Sequence, residues 1–304
     1  MLGYVLRRLV IAIIAIFVLA TITFFLLRVV PGDPFAGPRI TTEIRARLHA
    51  HYGLDRPLFE QYLIYMANLA QGDFGYSLSQ RGRRVNDIIA TAFPVSLDLG
   101  LRAMFLAIVF GLWFGVVSAL NRGKRFDYLT IVLVLVGISV PSFVVGGILQ
   151  YLFAVKWPIL PVARYETFAS TIMPAFALSL ATMATIARYM RASMLEVVTA
   201  DYIRTAVAKG LRRREIVWRH QIRNAIFPVL SILGPVIASV LTGSFVIETI
   251  FAVPGLGRYF VLAMQNLDYT LVMGLTVFFG AFLIAVNFLV DVAYGLVDPR
   301  VRVR

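Results

Sequence analysis

The chain has 304 residues, of which 60% are hydrophobic and 15% charged, and its mean hydropathy is +0.82. These values exclude an ordinary soluble domain and identify an integral membrane protein. The net charge of +13 reads as Lys and Arg held on the cytoplasmic side rather than as a nucleic-acid footprint, and the absence of cysteine excludes disulfides, Cys-based zinc sites, iron–sulfur clusters and thiol nucleophiles.

A helix needs about 18 or more apolar residues to cross roughly 30 Å of hydrocarbon. Charge-free stretches of that length occur at 9–27, 103–121, 128–155, 167–187, 224–247 and 269–290. They predict an all-α membrane protein with six transmembrane helices, at about 9–29, 97–121, 128–155, 168–187, 224–247 and 270–294. The first apolar run follows Arg7 and Arg8 and continues to Phe25, longer than a cleavable signal core, so it reads as a retained span.

Segment 31–94 mixes charges nearly evenly, carries Gly and Pro at both ends, and reads as an external subdomain with helical pieces around 41–51 and 57–71. Its His49 and His51, in "LHAHYG", lack further nearby ligands and read as solvent-facing. At the start of the second span, Asp98 and Arg102 have the spacing of an intrahelical ion pair. Gly111 and Gly115, farther along, have the small-xxx-small spacing of a tight helix contact.

Basic residues concentrate in alternate loops. Segment 121–128 holds Arg122, Lys124 and Arg125, and 188–223 holds Arg188, Arg191, Arg204, Lys209, Arg212, Arg213, Arg214, Arg219 and Arg223. The intervening connections hold only Lys156, Arg164 and Arg258, so the positive-inside rule puts both termini in the cytoplasm.

The loop between spans four and five is longer than a solvated connection requires. Within "DYIRTAVAKGLRRREIVWRHQIRNAIFPV" (201–229), Ile203, Val207 and Leu211 recur at helical spacing, flanked by Arg204, Thr205 and Lys209. Asp201 stands where an N-cap belongs, and Gly210 stands where the helix breaks or a backbone comes close. Two readings compete: a helix that docks into a cytoplasmic partner, or one that rests on anionic lipid. The stripe lacks Trp or Phe anchors, with Trp218 outside it, and Pro228 ends the segment, which favours docking.

Near the end of the fifth span, "ETIFAVPGLG" contains Glu248, Pro254 and Gly255. These residues read either as an external gate or as a headgroup-level carboxylate beside a structural turn. Asn287 and Asp291 share a face of the sixth span. There is no Ser/His/Asp grouping, H-E-x-x-H motif or pair of midplane carboxylates, so the chain reads as a non-enzyme with no catalytic residues and no metal site. A secondary transporter would show internal repeats and midplane ionisable groups, and neither is visible.

The run "DYIRTAVAKG" (201–210), followed by His220, Asn224, Ala225 and Pro228, resembles the EAA loop of permease subunits of binding-protein-dependent ABC importers. Arg204-Thr205-Ala206 stands in place of Glu-Ala-Ala, and Gly210 is the matching glycine. Further segments, "LRRLVIAIIAIFVLATITFFLLRVVPGDPF", "QGDFGYSLSQRGRRVNDIIATAFPVS", "TGSFVIETIFAVPGLGRYF" and "VDVAYGLVDPRVR", are similar to the B-type membrane subunit of the oligopeptide, dipeptide and nickel branch. "PGDPFAGPR" is most like the oligopeptide members.

This resemblance implies a type I importer permease fold: an N-terminal span at 1–30, an extracytoplasmic subdomain at 31–94, a permease core at 95–297 and a cytoplasmic tail at 298–304. The core would carry a coupling loop at 196–228, with Asp201, Ile203, Arg204, Thr205, Ala206, Val207, Lys209, Gly210 and Leu211 meeting the ATPase. The implied partners are a related C-type permease subunit, two cytoplasmic ATPases, an extracytoplasmic binding protein, the peptide cargo and membrane lipid. The chain lacks G-x-x-x-x-G-K-[ST], so ATP and Mg belong on the partner ATPases. Dipeptides, nickel, metal chelates and glutathione are alternative cargoes within the same role.

Overall fold

The fold comes from a computed structural model, which describes residues 2–33, 35, 42–80, 82–241 and 244–297, with backbone alone for 2–5, 42 and 291–297. The expected tail at 298–304 and the side chain of Asp291 lie outside the described residues. Among the described residues every named element is helical, and the one β-type pairing is an isolated bridge between Tyr76 and Arg84.

In chain order the helices are α1 (Leu2–Val29), α2 (Thr42–His51), α3 (Leu58–Ala70), α4 (Val85–Leu120), α5 (Arg125–Ser139), α6 (Ser142–Gln150), α7 (Phe168–Val198) and α8 (Asp201–Ala208). They are followed by the short α9 (Arg213–Glu215) and α10 (Arg223–Ala225), then α11 (Phe227–Leu241), α12 (Phe245–Ile250), α13 (Leu256–Gln265) and α14 (Tyr269–Val297). Two wide π-helical turns, Tyr151–Lys156 and Ile216–Ile222, extend α6 and bridge α9 to α10.

Among the described residues α1, α4, α7, the α11–α12 run and α14 are each long and apolar enough to cross a membrane, and α5 with α6, bent by 105°, makes six if the pair counts as one span. That bend departs from the continuous 128–155 helix expected from hydropathy. Pro141 lacks an N–H and disfavours a helical conformation at the residue before it, and Val140 is accordingly extended at φ −89°, ψ 121°.

Two other spans outrun their apolar runs. Helix α4 begins at Val85 rather than near 97, and α7 continues to Val198 rather than ending near 187. A charge-free criterion stops at the first ionic side chain, whereas the helix continues as long as its charges are paired or reach water. In α4 the Arg102 Nε donates to Asp98 at 2.8 Å, as the spacing predicts, and the Tyr165 hydroxyl donates to the same carboxylate at 2.7 Å.

The chain divides into two compact units, Met1–Val95 with Pro254–Arg304, and Ser96–Val253. In the first, α1 packs along α14 so closely that a Cβ on Gly280 would lie 2.2 Å from the Leu19 Cδ2. Its core joins Phe24, Leu27, Val85, Ile88, Leu256, Leu271 and Leu275. Asp268 is fully buried and caps α14 through the Leu271 N–H at 3.0 Å. Its other oxygen accepts from the Ser77 hydroxyl and from the Ser79 N–H and hydroxyl, tying the 76–80 turn to the start of α14.

The second unit is organised around α7, against which α4, α5, α6 and α11 pack. Gly111 and Gly115 do mark a tight contact: a Cβ on Gly115 would lie 2.6 Å from the Met190 Cβ and 2.8 Å from the Ala187 carbonyl. Gly137 of α5 meets the Ala184 Cβ in the same way, at 2.8 Å. Backbones approach this closely only where side chains are absent, which is how a bundle in lipid gains dispersion energy without a hydrophobic driving force.

Candidate functional site: the α8 loop

Helix α8 is short, and the structure shows why it stops. Lys209 closes it, Gly210 adopts φ +74°, the Gly210 N–H donates to the Val207 carbonyl at 2.9 Å, and the Leu211 N–H donates to the Ala206 carbonyl at 3.3 Å. This is a Schellman C-cap, completed by apolar contact of Leu211 with the cluster that holds Ala206. Of the two roles expected for Gly210, only the break is realised within this chain, because a Cβ there would meet no atom within 4 Å.

The N-terminus differs from expectation. Asp201 is the first helical residue rather than the N-cap, which is Ala200, and no side chain caps the helix. Asp201 therefore acts only through the favourable charge of the first turn. It is almost wholly exposed and stands 3.7 Å from Arg204, a contact of little energetic weight.

The apolar stripe divides. Ile203 is buried and Leu211 half-buried, whereas Val207 is 60% exposed. The residue that joins Ile203 inside is Ala206, and together with Ile216, Val197, Ala200 and Leu211 they form a small core holding α8 against the end of α7 and the 216–222 turn. Val207 lies about 40° round the helix from Ile203 on the side away from Ala206, and Leu211 lies past the glycine stop, so the members of the stripe do not share one fate. The outward face consists of Asp201, Tyr202, Arg204, Thr205, Val207, Ala208 and Lys209. Beside it, Ile203, Val207, Leu211, Ile216 and Val217 line a groove of about 460 Å³ that reaches Ala119 and Leu120 at the end of α4.

From this loop a continuous packed path leads into the bundle. Ile222, Ala225 and Val229 pack with Met190 and Met194 of α7 and with Ala107 and Ala119 of α4. The same end carries a polar lock that the sequence reading treated only as scattered loop charges. Asp127 of α5 is buried and receives a bidentate Arg191 guanidinium from α7 at 2.7 and 3.0 Å. The Ser118 hydroxyl of α4 donates to it at 2.5 Å and the Gly123 N–H at 2.9 Å. The lone signal available in the sequence was one acid in an otherwise basic loop.

Family comparison then decides what such a loop belongs to. The family described as "Binding-protein-dependent transport system inner membrane component" matches residues 107–303, and its N-terminal companion, "Binding-prot-dependent transport system membrane comp, N-term", matches residues 1–100. The chain belongs to this family of transport membrane components. It is 45% identical over 300 residues to the dipeptide transport system permease protein DppB of Bacillus subtilis (strain 168), covering 98% of this chain and 97% of that protein. It is also 45% identical over 305 residues to the oligopeptide transport system permease protein OppB of Escherichia coli (strain K12), covering 99% and 100%. The dipeptide permease of Lactococcus lactis subsp. cremoris is 39% identical over 302 residues, 99% and 100% of the two chains. The all-helical architecture with up to six spans is therefore the type I permease fold, and the chain is a membrane permease subunit.

Glu248 is fully buried within α12, whose N-cap is Ser244, while Pro254 is exposed and Gly255 is the buried N-cap residue of α13. His49 is also less exposed than expected, its Nε2 lying 3.2 Å from an Asp33 oxygen. Among the described residues there is no group of three or more His, Cys, Asp or Glu able to hold a metal.

Proposed function

We propose that this permease imports short peptides and that α8 is its coupling helix. The observation that carries the reading is the two-sidedness of α8: its inner face is packed to the end of α7, and its outer face presents Tyr202, Arg204, Thr205 and Val207. A helix so held transmits a push at its outer face to α7 and, through the 216–229 segment, to α4 and α11. Coupling of this kind requires an element whose position differs between two states and a partner that binds one state better.

The partner in this reading is one of two cytoplasmic ATPases, which bind ATP and Mg. A C-type permease subunit completes the path, and an extracytoplasmic binding protein delivers the cargo. The basic loops, including α8, face the cytoplasm together with both termini. Equal identity to a dipeptide and an oligopeptide permease supports peptides as the cargo class.

The test is to reconstitute the chain with its co-purifying subunits and measure peptide-dependent ATPase activity and uptake. Val207→Asp combined with Arg204→Glu, both on the outer face, should abolish uptake while the chain remains folded. Gly210→Ala places a Cβ in the left-handed region at about 1 kcal/mol, so it should weaken coupling, and Gly210→Asn should retain more of it. Full uptake by the Val207/Arg204 double variant would overturn the assignment.

A further inference from the structure

A second site lies in the other unit, at the end of α1 away from Arg7 and Arg8. A cavity of about 390 Å³ is lined there by Phe24 and Arg28 of α1, Tyr52 and Arg56, Tyr65 of α3 and the 73–76 turn. Arg28 is half-buried; its guanidinium stacks over the Phe24 ring at 5.2 Å and makes no hydrogen bond or ion pair among the described residues. The hydroxyl of Tyr65 is buried without a partner among the described residues. Burial pushes that phenol up to about 12, so it remains a proton donor at any ordinary pH. Of the other ionisable lining groups, Arg56 pairs with Glu60 at 2.9 Å, His51 lies on the wall, and Asp73 turns one carboxylate oxygen to the Gly75 N–H at 2.9 Å. A cation and a buried donor lacking an acceptor leave a place shaped for an anion.

The surroundings say which anion. Arg28 stands in the last turn of a membrane span, at the level where lipid headgroups begin. Helix α3 lies against that span: the Tyr62 hydroxyl is 2.9 Å from the Thr21 hydroxyl, and its ring packs on Phe25 at 5.3 Å. Thr21 is eight residues before the end of the span, about 12 Å along the axis, so Tyr62 reaches below the headgroup level. Ile64 of α3 is exposed at the rim of the cavity, so an apolar surface adjoins the cationic notch. We propose that this cavity binds the phosphate of an anionic phospholipid headgroup through Arg28 and Tyr65, with an acyl chain lying against Ile64.

Native mass spectrometry of the purified full chain, titrated with phosphatidylglycerol and separately with phosphatidylcholine, tests this directly. The wild type should retain one phosphatidylglycerol through activation that strips phosphatidylcholine. Arg28→Gln should weaken that retention on the order of tenfold, the scale of a lost charge-assisted hydrogen bond. Tyr65→Phe keeps the ring against Phe24 and removes only the hydroxyl, so it should weaken retention with an unchanged unfolding midpoint, and it decides the matter if Arg28→Gln fails to fold. Ile64→Ser should weaken phosphatidylglycerol binding as well. Undiminished retention in Tyr65→Phe and Arg28→Gln would overturn the site, and displacement of the lipid by millimolar inorganic phosphate would show a free-anion site instead of a lipid one.

Discussion

Asp33 and Asp127 are two acids in basic surroundings, and they serve different ends. Asp33 accepts the Phe35 N–H at 2.8 Å, is 3.2 Å from His49, and pairs with Arg45 at 3.3 Å. Burial opposes its ionisation, but the Phe35 and His49 hydrogen bonds and the nearby cations outweigh that and hold its carboxyl below the usual carboxylate range. A depressed folded value contributes stability that is present above the unfolded value of about 4 and lost as pH falls through the folded one. The difference in unfolding midpoint between wild type and Asp33→Asn should therefore be constant above about pH 5 and shrink towards zero in acid. Asp127 is the stiffer case, because it is buried and its ligands come from two other helices and the turn at Gly123. Arg191→Ala leaves an uncompensated buried carboxylate and should cost about 3–5 kcal/mol. Adding Asp127→Asn should recover part of that loss, as read by thermal unfolding in detergent.

Among the elements, the α4–α7 contact and α8 show how far spacing can be trusted. Glycine four apart is a weak sign in a membrane helix, yet both Gly111 and Gly115 lie against α7 backbone. Gly115→Ala forces its Cβ to within 2.6 Å of Met190 and should destabilise by about 1–3 kcal/mol. Gly147→Ala, where a Cβ meets nothing within 4 Å, is the matched control and should be neutral or slightly stabilising. Comparing both variants by thermal unfolding separates packing from helix propensity. For α8 the stripe correctly marked a helix and its end, but it did not say which side would be spent on the chain itself. That depends on Val197, Ala200 and Ile216, which meet Ile203 and Ala206 only after α7 and the 216–222 turn are in place.

For the whole molecule, the side of the membrane on which segment 42–80 lies is open to a direct measurement, because the chain has no native cysteine. Ser79 is a poor position for a label, since its hydroxyl and N–H both bond to buried Asp268. Ala46 is exposed on α2 and lies clear of those bonds. Ala46→Cys should react with an impermeant thiol reagent in intact cells, and protection until lysis would reverse the proposed orientation. The α5–α6 pair also bears on the whole: a straight 128–155 helix was the natural reading of an uninterrupted apolar run, but Pro141 converts it into two helices at 105°.

What the sequence by itself determined is what local chemistry decides: membrane residence, up to six spans, the position of α8 and its glycine stop. These follow from hydropathy over about 18 residues, from charge bias between loops and from backbone preferences of single residues, none of which needs a distant partner. Only the tertiary structure decided which face of α8 is free, that Arg191 closes on Asp127, that Asp268 holds Ser77 and Ser79 from 189 or more positions away, and that Arg28 meets no anion among the described residues. Each of these is a pairing across helices, and a charged or polar residue looks the same in a sequence whether or not the fold brings it a partner.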